Sequence, residues 1–119
     1  FDNGYGRNFV LARFDDQSLY SRAVEYEVNE EQRTVRQVWQ FGKEAGHKYY
    51  APARSSVQYL PQTGNHLFCP GMSNTLSDGN SGGRVVEIDP VTQQIVFELE
   101  LPSVIYQRAN RITLYPDNL

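Results

Sequence analysis

The sequence predicts an all-β protein, a fragment of a β-propeller, and three observations carry that prediction. First, Gly83-Arg84-Val85-Val86-Glu87-Ile88-Asp89 and Ile95-Val96-Phe97-Glu98-Leu99-Glu100-Leu101 alternate apolar and polar residues about a turn at Asp89-Pro90. Period-2 alternation places Val86 and Ile88 on one strand face, and Ile95, Phe97, Leu99 and Leu101 on one face of its partner. Second, the chain contains an echo of this hairpin. Arg22-Ala23-Val24-Glu25-Tyr26-Glu27-Val28, a polar turn from Asn29 to Arg33, and Thr34 to Phe41 share its layout, with matches 58 to 62 residues apart such as Arg22 with Arg84 and Val38 with Val96. A fixed repeat of a hairpin unit signals a repeat architecture. Third, every other apolar run is short and bounded by turn residues, and no segment carries a convincing helical period. Among sandwich, barrel and propeller, the repeat selects the propeller.

Each element then follows in order. Phe1 to Gly6 ends a strand in the Asn3-Gly4 turn dipeptide, and Asn8 to Ser21 is a surface excursion. The first hairpin occupies Arg22 to Phe41, and Gly42 to Lys48 is a polar connection bracketed by glycines. Tyr49 to Arg54 leads into a strand at Ser55–Leu60, Pro61 to Asn65 is a turn by composition, and His66–Gly71 returns. Met72 to Gly82 is a long loop of small, polar and glycine residues with the composition of a mobile segment. The second hairpin spans Gly83 to Leu101, and a last strand is expected from Ile105 to Tyr115, stopped by Pro116. In propeller terms, 1–49 is the outer part of one blade, 50–101 a full four-stranded blade, and 102–119 the inner strand of the next. A single blade buries too little to stand alone, so the expected partners are the remainder of the propeller or further copies of the chain.

Composition narrows the function classes. The 119 residues are 39% hydrophobic and 21% charged with net charge −3, which gives no reason to expect a nucleic acid or anionic membrane partner. No apolar run approaches the roughly 18 residues of a membrane span. The start, Phe1-Asp2-Asn3-Gly4, contains neither Met nor a signal peptide, so a segment of a longer protein is expected. The lone Cys69 forms no internal disulfide and leaves the redox compartment open.

Four features, in their order and spacing, resemble the C-terminal part of the bacterial arylsulfate sulfotransferases that need no nucleotide sulfate donor. They are Phe1-Asp2-Asn3-Gly4, Tyr20-Ser21-Arg22-Ala23-Val24-Glu25-Tyr26, the run from Thr34 to Glu44, and Tyr106-Gln107-Arg108-Ala109. The resemblance covers nearly the whole chain. It implies a six-bladed propeller, a periplasmic location, possible homodimers, and transfer of a sulfuryl group from an aryl sulfate to a phenol through a sulfated histidine. In that family the nucleophilic histidine lies shortly before the Asp-Asn-Gly turn, upstream of Phe1 here, so no catalytic residue is expected in this chain and the fragment alone should be inactive. No cofactor and no metal are expected. The rival reading is a non-catalytic propeller segment that binds protein or carbohydrate, since propellers host many functions.

What the segment could add is substrate binding. Sulfuryl transfer, like phosphoryl transfer, depends on positioning and on cations beside the equatorial oxygens, and the planar guanidinium holds two oxygens at once. The innermost strands of a propeller line its channel, here the segments from Tyr50 to Leu60 and from Tyr106 to Leu114. They carry Arg54, Arg108 and Arg111, with Ser55, Ser56 and Asn110 nearby. Arg54 and Arg108 are the candidates for sulfate, with Ser55 and Tyr50 beside them; the family usually has a small hydroxyl residue at the Arg54 position. The competing reading, arginines on the surface or in inter-blade salt bridges, has the general exposure of arginine in its favour. His47 reads as a solvated loop residue and His66 as a strand-edge residue, and their separation gives no metal-ligand spacing. Cys69 reads as a small buried apolar side chain, and Trp39 and Phe97, at matching repeat positions, as blade-packing residues.

Overall fold

The computed structural model describes residues 1–5, 17–73 and 76–114. Of the surface excursion expected from Asn8 to Ser21, residues 8–16 lie outside the described residues, and its end is not at the surface, since Leu19 and Ser21 are buried. The all-β class holds: six strands form two antiparallel sheets, and the described residues contain no α-helix. β1 (Ala23–Asn29) and β2 (Thr34–Phe41) pair as a hairpin. β3 (Ser56–Leu60), β4 (Asn65–Cys69), β5 (Gly82–Ile88) and β6 (Ile95–Pro102) form a meander in the order β3-β4-β5-β6. Such a four-stranded meander is the unit from which propellers are built. The tail joins the hairpin where a neighbouring strand would lie, through an antiparallel bridge between Asp2 and Arg22 with both backbone bonds at 2.9 Å.

The four-stranded sheet is covered on both faces. On one face Val57, Phe68, Val86 and Ile88 pack against Ala23, Trp39 and Phe41 of the hairpin and Tyr49 of a single 3-10 turn, Gly46–Tyr49. Phe68 is the hub, stacked on Phe1 at 5.2 Å and edge-on to Phe41 and Tyr49. On the other face Leu60, Leu67, Cys69 and Val85 pack against Tyr106 and Ala109. Cys69 is fully buried, as expected for a small apolar side chain, and burial pushes its thiol pKa up to about 11.

Three expectations are corrected. The strand placed at Ile105 to Tyr115 does not form over the described residues 105–114, which are irregular with a bend at Gln107. The segment lies face-on across the sheet, not along an edge, so it has no strand partner there. Side chains substitute for one: Gln58 donates to the Arg111 carbonyl at 3.0 Å and accepts from its N–H at 2.7 Å. His66 is not at a strand edge. It sits on the interior strand β4, 7% exposed, stacked on Trp39 at 4.3 Å, with Nε2 3.3 Å from Glu25. Phe97 departs from its repeat partner Trp39: Trp39 packs into the core, whereas Phe97, on the outer strand beyond the covering segment, is 45% exposed.

Candidate functional site

The meander sorts its connections by length. The tight turns 30–33, 61–64 and 89–94 close the hairpins. The long connections 42–55 and 70–81, and the segment after β6, all leave from the opposite end of the four-stranded sheet. In proteins whose strands form a rigid scaffold, the longer loops at one end are where binding groups concentrate.

Three backbones converge at this end on Gly71. A Cβ on Gly71 would overlap the carbonyl oxygens of both Arg54 and Tyr106, and the Tyr106 N–H donates to the Gly71 carbonyl at 3.1 Å. Only glycine permits so close an approach from two sides. The Ser55 hydroxyl closes the same junction, donating to the Ala53 carbonyl and accepting from the Gly71 N–H, both at 3.1 Å. Ser21, fully buried, ties in the start of the hairpin: its hydroxyl donates to the Asn3 carbonyl at 2.8 Å and accepts from the Ala51 N–H at 2.9 Å. Asn3 in turn donates from Nδ2 to the Pro52 carbonyl at 2.8 Å, and Asp2 holds Arg22 Nε at 2.8 Å. The Asp-Asn-Gly turn is thus bolted to the segment that carries Arg54.

The four candidate residues divide into two pairs. Arg54, in the left-handed region at φ 57°, and Arg108 are both exposed, and among the described residues neither guanidinium has a hydrogen-bonding or ionic partner. Gly71 brings their two segments together. Tyr50 is fully buried, its ring 5.0 Å from that of His47, and the Ser55 hydroxyl is committed to backbone groups. Ser55 supports the junction, and Tyr50 packs within the segment that leads to it. The His47 ring, only partly exposed, lies 3.2 Å from the Leu19 carbonyl through Nδ1.

Two charged clusters lie on opposite faces of the sheet, the first beside this end and the second toward the tight turns. Arg84, 3% exposed, reaches Glu98 at 2.7 Å and Glu100 at 2.6 Å and lies over the Tyr49 ring. With His47, Lys48 and Ser77 these residues line an open cleft of about 490 Å3. The cleft's carboxylates are paired to cations, and Tyr50, Arg54, Ser55 and Arg108 do not line it, so it is a poor receptacle for a sulfate. On the other face Glu87, 5% exposed, accepts from Asn65 Nδ2 at 2.8 Å and pairs with Arg111. Burial opposes ionisation of Glu87, but the bonds from Arg111 and Asn65 outweigh it and hold the carboxyl below the ordinary glutamate value of 4.5. A depressed folded-state pKa contributes stability that is complete above the ordinary value and lost as pH falls through the folded one. The gap in urea midpoint between wild type and Glu87→Gln should accordingly be widest near neutrality and narrow below pH 4.5.

Comparison with known proteins identifies the family. The family model for arylsulfotransferase (ASST) matches residues 1–110, and the chain belongs to that family. It is 37% identical over 105 residues to the arylsulfate sulfotransferase AssT of Escherichia coli O6:H1, and 34% identical over 104 residues to the AssT of Lelliottia amnigena. Each alignment covers 87% of this chain and 17% of the relative, so the chain spans about a sixth of the length of the proteins it matches.

Proposed function

We propose that this chain is the C-terminal part of a periplasmic arylsulfate sulfotransferase propeller, and that it supplies cationic substrate contacts to a site whose nucleophile lies elsewhere in the protein. The family match over residues 1–110 carries this reading. In the reaction, a histidine nitrogen upstream of Phe1 attacks the sulfur of an aryl sulfate, the S–O bond breaks, and the phenolate departs. A phenol oxygen then attacks the sulfohistidine, the N–S bond breaks, and the phenol proton passes to a base. Splitting one transfer into two displacements is the gain of covalent catalysis. Negative charge spreads over the three equatorial oxygens in both steps, and Arg54 and Arg108 hold them at the Gly71 end of the sheet. Tyr50 and Ser55 act beneath them, fixing the segment that presents Arg54. The attachment of Asn3 to Pro52 supports the placement, because it draws the Asp-Asn-Gly turn, and the chain leading into it, toward Arg54. The remainder of the propeller is the partner. The chain alone is inactive.

Transfer from 4-nitrophenyl sulfate to phenol by the full-length protein tests the reading. Losing a charge-assisted contact costs about 1.5–3 kcal/mol, so Arg54→Ala should raise donor KM roughly 10- to 100-fold. Unchanged transfer and donor KM would remove Arg54 from the site.

A further inference from the structure

We infer that Glu87 and Arg111 are positioning residues for Arg108: their ion pair, made across the face of the sheet, fixes the register in which segment 105–112 crosses it. The inference rests on the reading of Arg108 as a sulfate contact.

The face beneath this segment is mainly apolar, formed by Leu60, Leu67, Cys69 and Val85, with Ser56, Gln58 and Asn65 its polar members. A carboxylate there costs several kcal/mol unless it is paired and hydrogen-bonded. Glu87, with its side chain 7% exposed, has one oxygen on Asn65 of its own sheet and the other 2.5 Å from Arg111 Nη2 of the crossing segment. Apolar contacts from the Tyr106 ring and the Ala109 side chain would tolerate a sliding segment, because they are non-directional, and the Ser56 hydroxyl holds the Ala109 backbone only through long bonds of 3.4 and 3.5 Å. The ion pair is directional, and a slip of one residue would withdraw Arg111 and leave Glu87 buried with half its partners. Gln58, bonded to both backbone groups of Arg111, holds the same register from β3. Upstream, the Tyr106 N–H is fixed to Gly71, and its phenol donates to the Arg84 carbonyl while its ring fills the space left by the missing side chain of Gly83. Burial holds that phenol in its protonated, donating form, with a pKa far above the ordinary tyrosine value. Arg108 stands between these two anchorages, two residues from one and three from the other. Extended chain spans at most about 3.6 Å per residue, so little slack remains at its Cα.

The test is a double-mutant cycle in the full-length protein, read as the KM for 4-nitrophenyl sulfate. Glu87→Gln should raise donor KM roughly five- to tenfold, with phenol KM unchanged, and the rise should disappear in an Arg108→Ala background. Arg111→Gln, which alters a half-exposed side chain and spares the buried sheet, should give the same pattern and replaces Glu87→Gln if that variant does not fold. Hydrogen exchange at 105–112 should accelerate in both. Donor KM unchanged in both variants overturns the inference, as does a rise that persists undiminished without Arg108. If Arg108→Ala itself leaves donor KM unchanged, the Arg108 contact falls and this inference with it, while the Arg54 result stands separately.

Discussion

Gly71→Ala is expected to impair folding and donor binding together. The added methyl would meet two backbone carbonyls, those of Arg54 and Tyr106, and neither is the end of a flexible side chain that could swing away. Relief therefore requires one of the two segments to move. Forced shifts of this kind cost about 1–3 kcal/mol and occasionally more, and here two contacts must be relieved at once. The substitution also bears on the Ser55 hydroxyl and the Tyr106 N–H, both bonded to Gly71 backbone groups. Urea unfolding of the full-length protein should show a lowered midpoint with the slope preserved. Donor KM should rise in the same variant, because the segments of Arg54 and Arg108 separate. A loss of stability without any change in donor KM would mean that the junction is scaffold only.

The strands were legible in the sequence because alternation, turn residues and an internal repeat all pointed one way. β2 falls on the expected Thr34 to Phe41, and the meander order follows from consecutive hairpins. The site was harder to see, for a physical reason. Alternation assigns one face of a strand to the core and the other to water, but β5 is covered on both faces. Glu87 consequently looks like a solvent-facing residue in the sequence and proves to be a buried carboxylate. His66 misleads in the same way, since a polar residue opening a strand gives no sign that Trp39, from a strand 27 residues upstream, will stack on it. The segment after β6 misleads differently. Ile105 to Tyr115 has strand composition, but a strand requires a ladder partner, and partners cannot be read from one segment. The place of Arg54 and Arg108 in the repeat points to the channel, but the convergence of their segments at Gly71 is a fact of backbone proximity that the glycine alone does not disclose.

Phe68→Ala should produce the largest loss of stability among single core truncations. Removing a fully buried phenylalanine costs about 3–5 kcal/mol, the upper part of that range applying where neighbours cannot collapse into the void. The neighbours of Phe68 are themselves rings attached to separate elements: Phe1 of the tail, Phe41 of β2 and Tyr49 of the 3-10 turn. For any one of them to fill the space, its whole element must shift. The cavity should therefore persist, and Phe68→Leu, which fills most of it, should recover much of the loss. Phe97→Ala, on a ring already 45% exposed, provides the contrast and should cost less in the isolated chain. The consequence for function runs through Phe1. Its stacking on Phe68, with the Asp2–Arg22 bridge and the Asn3–Pro52 bond, holds the Asp-Asn-Gly turn. Losing the stack leaves only polar attachments to hold the tail, these together with the Ser21–Asn3 bond and the Asp2–Arg22 ion pair. If the chain entering that turn carries the nucleophile, Phe68→Ala should lower kcat for sulfuryl transfer even at temperatures where the protein remains folded, whereas a truncation on the opposite face, such as Leu67→Ala, should leave kcat unchanged where that variant remains folded.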